Sequence, residues 1–89
     1  MTKKRTKLEV IKDILEVARN GKQAKITHLI YKANLSNNSI KPYLEELLKN
    51  KLMESRENNG KKYFIITKKG EEFLQEYNKI KILSDSYGL

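Results

Sequence analysis

Asn58-Asn59-Gly60, set between two strand-like runs, is the most restrictive feature of this 89-residue chain. A two-residue type I′ turn needs positive φ at both central positions. Asparagine tolerates that conformation and glycine adopts it freely, so Asn59-Gly60 predicts a hairpin joining Leu52–Glu57 to Lys61–Ile66. So short a turn also fixes the register. Met53, Ser55, Phe64 and Ile66 fall on one face, and Arg56, Asn58, Lys61 and Tyr63 on the other. The first set suits a core. Ile65 interrupts the alternation on the second face, which is expected to be partly covered.

Two apolar-periodic segments precede the hairpin, separated by Asn34-Leu35-Ser36. The first opens at Ile26 or Thr27 and turns Leu29, Ile30 and Ala33 inward. Asn34 suits a left-handed stop, Leu35 can fill the angle between two helices, and Ser36 can cap the next one. That next helix is expected over Asn37–Asn50, with Ile40, Leu44, Leu47 and Leu48 as its buried stripe and Tyr43 at the edge. Pro42 cannot donate to the Asn38 carbonyl, a loss of up to ~3 kcal/mol inside a helix, and predicts an irregular first turn.

At the start of the chain, Leu8, Ile11, Ile14, Leu15 and Ala18 recur at helical spacing, with Thr6 as N-cap and Gly21 as the stop. Glu9, Lys12, Asp13, Glu16 and Arg19 read as solvated positions on the opposite face. At the other end, Thr67 can cap a final helix carrying Phe73, Leu74, Tyr77, Ile80 and Leu83, with Gly70 weakening its first turn. Beyond Tyr77 so small a domain has little left to cover. Phe73, Tyr77, Ile80, Leu83 and Tyr87 are therefore expected to form a homodimer interface, with Ser84 to Leu89 frayed. Helix, sharp turn, helix and basic hairpin is the order of a winged helix-turn-helix: mainly α with a small β-hairpin and, here, an added C-terminal helix. Three regions follow: a basic flexible arm over 1–6, the winged domain over 7–70, and a C-terminal dimerisation helix and tail over 71–89. In such a fold Gln23 to Lys25 is expected to add a one-bridge strand to the hairpin.

A formal charge of +8, from 19 Lys and Arg against 11 Asp and Glu, favours a polyanionic partner, with duplex DNA foremost. A solvated lysine-rich surface is the plainer reading. The absence of cysteine excludes disulfides, thiolate catalysis and cysteine-held zinc, and a single histidine, His28, leaves little for a metal. Gly-rich phosphate loops and nucleophile–base pairs are likewise missing from the sequence, so no enzyme activity, cofactor or small-molecule ligand is expected. No apolar run approaches membrane-spanning length, and the expected location is cytoplasmic, on the nucleoid.

Four phrases carry a resemblance. Lys7-Leu8-Glu9-Val10-Ile11-Lys12-Asp13-Ile14-Leu15-Glu16, Ile30-Tyr31-Lys32-Ala33-Asn34-Leu35-Ser36, Tyr43-Leu44-Glu45-Glu46-Leu47 and Thr67-Lys68-Lys69-Gly70-Glu71-Glu72-Phe73-Leu74 together resemble an archaeal family of small winged helix-turn-helix regulators. The ten-kilodalton chromatin-associated members look especially similar. The resemblance implies binding to duplex DNA, commonly as a dimer joined through the last helix. The chain departs from the family at Pro42, where a helix former or basic residue is usual, and in a C-terminal helix expected to end soon after Leu83.

With Ile40, Leu44 and Leu47 inward, the outward face of the third helix displays Asn38, Lys41, Pro42, Glu45 and Lys49, flanked by Asn37 and Ser39. In helix-turn-helix docking that helix's N-terminal half meets base edges: Asn can pair with adenine, and Lys can reach guanine or phosphate. Asn37, Asn38 and Ser39 can equally serve only as capping and turn residues. Glu45 and Glu46 repel phosphate unless one accepts from a cytosine amine, and are expected to face solvent or form salt bridges. In the hairpin, Arg56, Asn58, Asn59, Lys61 and Lys62 suit a minor groove or a phosphate ridge, or alternatively guard an exposed strand edge. Lys3, Lys4 and Arg5 can follow the backbone from the arm, or simply solubilise it. Tyr31 and Tyr43 read as aromatics at the core edge. The competing function is a winged helix that docks another protein within transcription or chromatin machinery. An exposed apolar patch without a continuous positive stripe is its signature.

Overall fold

The computed structural model describes residues 5–89. Lys3 and Lys4, expected in a basic arm, lie outside the described residues. Four helices and one antiparallel hairpin follow in the order α1 (Lys7–Gly21), α2 (Ile26–Lys32), α3 (Asn37–Lys49), β1 (Met53–Asn58), β2 (Lys61–Ile66) and α4 (Lys68–Ser86).

Helix α1 starts on a reciprocal cap. The Glu9 amide donates to the Thr6 hydroxyl at 3.2 Å, and the Thr6 amide donates to the Glu9 carboxylate at 3.0 Å. Glu9 is thus a capping residue rather than a merely solvated one. Val10, Ile11, Ile14, Leu15 and Ala18 are buried, whereas Leu8 is 54% exposed. The expected stripe was rotated: Leu8 lies roughly a quarter turn from the centre of the buried one, and Val10 takes its place. The stop also differs. Gly21 ends α1, but the positive φ (62°) belongs to Lys22, in a turn closed by a bond from the Gln23 amide to the Gly21 carbonyl.

The turn between α2 and α3 forms as its residues dictate. Asn34 adopts φ 55°, the Leu35 amide reaches back to the Ile30 carbonyl at 2.9 Å, and the Ser39 amide donates to the Ser36 hydroxyl at 3.1 Å. Leu35 packs against the core. Arg5 closes this turn from outside. Its guanidinium donates to Asp13 at 2.8 Å and to the carbonyls of Ala33 and Asn34 at 2.7 and 2.9 Å. Expected in a mobile arm, it instead ties the start of α1 to the end of α2, neutralising carbonyls that the helix leaves unbonded. Lys12 lies beside the same cluster. Burial works against its charge, but the hydrogen bond to Glu16 and the carboxylates of Glu16 and Asp13 outweigh that and raise its pKa.

Pro42 does not distort α3, which is continuous from its Ser36 cap to Lys49. The lost bond falls one turn in, where Asn38 is exposed and its carbonyl can meet water, so the expected irregular first turn is absent. Ile40, Leu44 and Leu47 are buried and Leu48 packs beside them. The helix ends with Lys51 at φ 60° and the Leu52 amide bonded to the Leu47 carbonyl at 2.9 Å.

The hairpin has the expected register, Met53 opposite Ile66 through Asn58 opposite Lys61, with Asn59 and Gly60 at φ 54° and 76°. Ala24 bridges to Phe64 as a third, single-pair strand. Met53 and Phe64 are buried, while Tyr63 and Ile65 on the other face are half-covered. Everything from Glu54 to Lys62 is exposed, so the end of the hairpin extends beyond the core.

Helix α4 begins where Thr67 accepts from the Gly70 amide at 3.1 Å. Gly70 is buried, and a Cβ there would meet the Leu52 carbonyl oxygen and lie 2.7 Å from Ile66 Cγ1. Far from weakening the helix, it permits contact with the hairpin base. The helix runs through Ser86, and the Leu89 amide folds back onto the Ser84 carbonyl at 2.9 Å, so the expected fraying from Ser84 is not seen. Tyr31, expected at the core edge, is 80% exposed because α2 buries only its Leu29 side; Tyr43 does pack against the core.

Two substitutions test this packing. In urea denaturation, Gly70→Ala should destabilise by about 1–3 kcal/mol through overpacking, although Ala is intrinsically better than Gly inside a helix by about 1 kcal/mol. Arg5→Ala should cost about 1–2 kcal/mol, from charge-assisted bonds at a part-buried site. Unchanged midpoints would remove these contacts from the stabilising set.

Candidate nucleic-acid interface

At 100° per residue, Asn38, Pro42, Glu45 and Lys49 line the side of α3 opposite Ile40, Leu44 and Leu47, and all four are exposed. Asn37 and Lys41 flank this line toward the hairpin. Ser39 and Glu46 flank it toward α1. The choice between capping and reading roles divides by residue. Ser36 caps α3, and the Ser39 hydroxyl is hydrogen-bonded to that of Ser36. Asn37 and Asn38 are exposed and, among the described residues, their side chains have no hydrogen-bond partner. Their amides are free to meet a ligand.

The two carboxylates of α3 also differ. Glu46 is bonded to Lys7 of α1 at 2.9 Å, which offsets its charge. Glu45 faces solvent with no partner among the described residues. Lys41 and Lys49 are likewise exposed and unpaired there.

In the hairpin, Arg56, Asn58, Asn59, Lys61 and Lys62 are all exposed at or near the tip. The register separates two lysines that are adjacent in sequence. Lys61 shares a face with Arg56 and Tyr63, whereas Lys62, opposite Glu57, lies on the Phe64 face with its Nζ 5.8 Å from that ring. Arg56 makes one long contact to Glu54, 3.4 Å, with both side chains exposed, and such a pair is worth little.

Helix α3 and the hairpin face each other across an open cleft of about 250 Å³. Its floor is apolar: Ile26, Leu44, Leu48 and Phe64. Its rim carries Lys41 and Glu45 from α3 and Lys62 from β2. The structure thus brings Lys41 of α3 and Lys62 of β2 to the rim of one cleft, leaves Asn37, Asn38 and Lys61 exposed outside its lining, and withdraws Arg5 into hydrogen bonds within the fold. Two further lysines stand at turns. Lys25 precedes Ile26 at the start of α2, and Lys51 occupies the left-handed turn after α3; both are exposed. Neither position is visible without the turn geometry.

Phe73 and Tyr77 stack at 6.4 Å between centroids and are half-covered by the domain. Ile80, Leu83 and Tyr87 continue the stripe at 66, 58 and 74% exposure. No helix among the described residues is long and apolar enough to cross a membrane, and no cluster of metal-ligating side chains is found among them.

Known proteins share this architecture. Residues 4–85 match the family described as winged helix-turn-helix. The structure is similar to Sso10a-2, a DNA-binding protein from Sulfolobus solfataricus, at TM-score 0.81 and 28% identity, over 94% of this chain and 87% of that one. BpsR of Bordetella bronchiseptica, whose DNA binding is regulated by 6-hydroxynicotinic acid, aligns at TM-score 0.74 and 15% identity, over 89% of this chain and 60% of its own. F93 from STIV, a winged-helix DNA-binding protein, aligns at 0.63 and 18% identity, over 86% and 90%. No curated protein sequence matches the chain. The resemblance read from the sequence is thereby borne out, and with a family match spanning nearly every described element, the chain belongs to the winged helix-turn-helix family.

Proposed function

We propose that the chain is a non-enzymatic double-stranded DNA-binding protein, a cytoplasmic, nucleoid-associated transcriptional regulator acting as a homodimer. Helix α3 enters the major groove and the hairpin lies as a basic wing on the backbone or in the minor groove. The observation that carries this reading is the unpartnered state of Asn37, Asn38 and Lys41 on α3, beside a projecting hairpin with unpaired Lys61 and Lys62. Sso10a-2, the similar protein at 28% identity, is itself a DNA-binding protein.

In this reading Asn38 is the principal base reader, because an exposed amide in the first turn of α3 can bond adenine bidentately. Lys49, Arg56, Lys61 and the arm residues Lys3 and Lys4 supply sequence-independent contacts to phosphate. Ile80, Leu83 and Tyr87 join two subunits, since a row of large apolar side chains at helical spacing is covered by nothing among the described residues.

Titration of a labelled duplex across a salt series tests the core of the proposal. With about four phosphates neutralised per subunit, log affinity should fall against log salt with a slope of roughly −7 for the dimer. Indifference to salt would overturn it. Asn38→Ala should leave that slope unchanged while reducing discrimination between preferred and scrambled duplexes, by about 1–3 kcal/mol per lost bidentate contact. For the dimer, Ile80→Asp with Leu83→Asp should give a monomer in sedimentation equilibrium with the fold retained by circular dichroism. An unchanged mass would place the interface elsewhere.

A further inference from the structure

The cleft between α3 and the hairpin is built differently from a phosphate-binding trough. Its floor is formed by the apolar side chains of Leu44, Leu48 and Phe64, and its cations stand only at the rim, Lys41 on one wall and Lys62 on the other. Neither lysine has a carboxylate partner among the described residues, and Lys62 is held over the floor by its approach to the Phe64 ring. Glu45 stands one helical turn from Lys41 on the same rim, also unpaired.

On duplex DNA, a major groove and the adjoining minor groove are separated by a single sugar–phosphate strand. An α3 seated in the first and a hairpin in the second must have that strand running between them, through this cleft. The chemistry of such a strand alternates: anionic phosphate, then apolar deoxyribose carbons. A charged rim over an apolar floor matches that alternation.

We propose that this cleft seats the intervening strand, with one phosphate held between the Lys41 and Lys62 ammonium groups and the adjacent deoxyribose against Leu48 and Phe64. Resting on the DNA-binding reading, the proposal assigns Glu45 a definite role. Its carboxylate faces the incoming phosphate and holds down affinity for every duplex, so that binding depends more heavily on base contacts made by the start of α3.

The test combines protein variants with duplexes in which one phosphate at a time is replaced by a neutral methylphosphonate. Lys41→Gln and Lys62→Gln, both at exposed positions, should each reduce the salt slope by about 0.9 per bound subunit. At one linkage, between the major- and minor-groove contacts, methylphosphonate should weaken the unaltered protein but add little further loss to either lysine variant. Leu48→Gln should weaken binding several-fold at an unchanged slope, because it touches sugar and not phosphate. Glu45→Gln should tighten binding to preferred and scrambled duplexes alike. Methylphosphonate losses that add in full to both lysine variants at every linkage would overturn the proposal, as would a Glu45→Gln protein that binds no more tightly. If the unaltered protein binds no duplex even at low salt, the DNA-binding reading itself has failed. Salt-dependent binding with fully additive linkages leaves that reading intact and removes only the cleft.

Discussion

The hydroxyl of Thr67 is the joint on which the geometry of this fold depends. It accepts from the Gly70 amide at 3.1 Å to start α4, and donates to the Lys51 carbonyl at 2.7 Å in the turn that ends α3. The Thr67 amide meanwhile donates to the Leu52 carbonyl at 3.1 Å, and Lys69 reaches the Asn50 carbonyl at 2.9 Å. Gly70 lets the two turns approach to a distance that a methyl group would forbid. The end of α3, the base of the hairpin and the start of α4 are therefore one hydrogen-bonded unit. The angle between α3 and the hairpin follows from this unit rather than from the hairpin's own flexibility. Backbone carbonyls at helix C-termini need partners, and here neighbouring elements provide them.

The same logic governs the charges. Asp13, Glu16 and Glu46 are paired with Arg5, Lys12 and Lys7, on and around α1. Each of those pairings matches one carboxylate with one cation. What remains around α3 and the wing is an excess of unpaired lysine, broken by Glu45 and Glu57. A net charge of +8 says nothing about where that excess lies; on α3 and the hairpin it includes the exposed, unpaired Lys41, Lys49, Lys61 and Lys62. Exposed lysines are inexpensive to leave unpaired in water, so the arrangement requires no compensating interaction inside the protein.

What could be read from the sequence was what is encoded locally. Asn59-Gly60, Asn34, Ser36 and Thr67 each specify a backbone conformation or a cap within three residues, and each forms as expected. With them came the element order, the hairpin register and most of the core. Features set by contacts distant in sequence were not legible. Arg5 looks like one more arm cation until α2 is placed beside it, 28 and 29 residues further along the chain. Gly70 reads as a weak helix residue until Leu52 is brought against it. Leu8 and Val10 exchange roles because α1's neighbours, not its period, decide which side is covered. Of the candidate site, Asn37 and Asn38 were legible as exposed positions and the opposite faces of Lys61 and Lys62 follow from the hairpin register, but the apolar cleft floor appears only once α3 and β2 share a boundary.

The joint at Thr67 links the two ends of the proposed function. Helix α4 leaves the same hydrogen-bonded unit that orients α3, and its apolar stripe from Ile80 to Tyr87 lies on a continuous run of helix. In a dimer built on that stripe, displacement of one α4 against the other would be transmitted to α3 with little slack, since Thr67 and Lys69 bond the start of α4 directly to the turn that ends α3. The spacing between two reading helices would then be set by helix packing, and base sequence would be selected at a fixed separation along the duplex. A winged domain on a loose tether would instead accept many separations. In the proposed dimer, the three hydrogen bonds around Thr67 would thus bear on which DNA sites can be occupied, although none of them lies on the exposed face of α3.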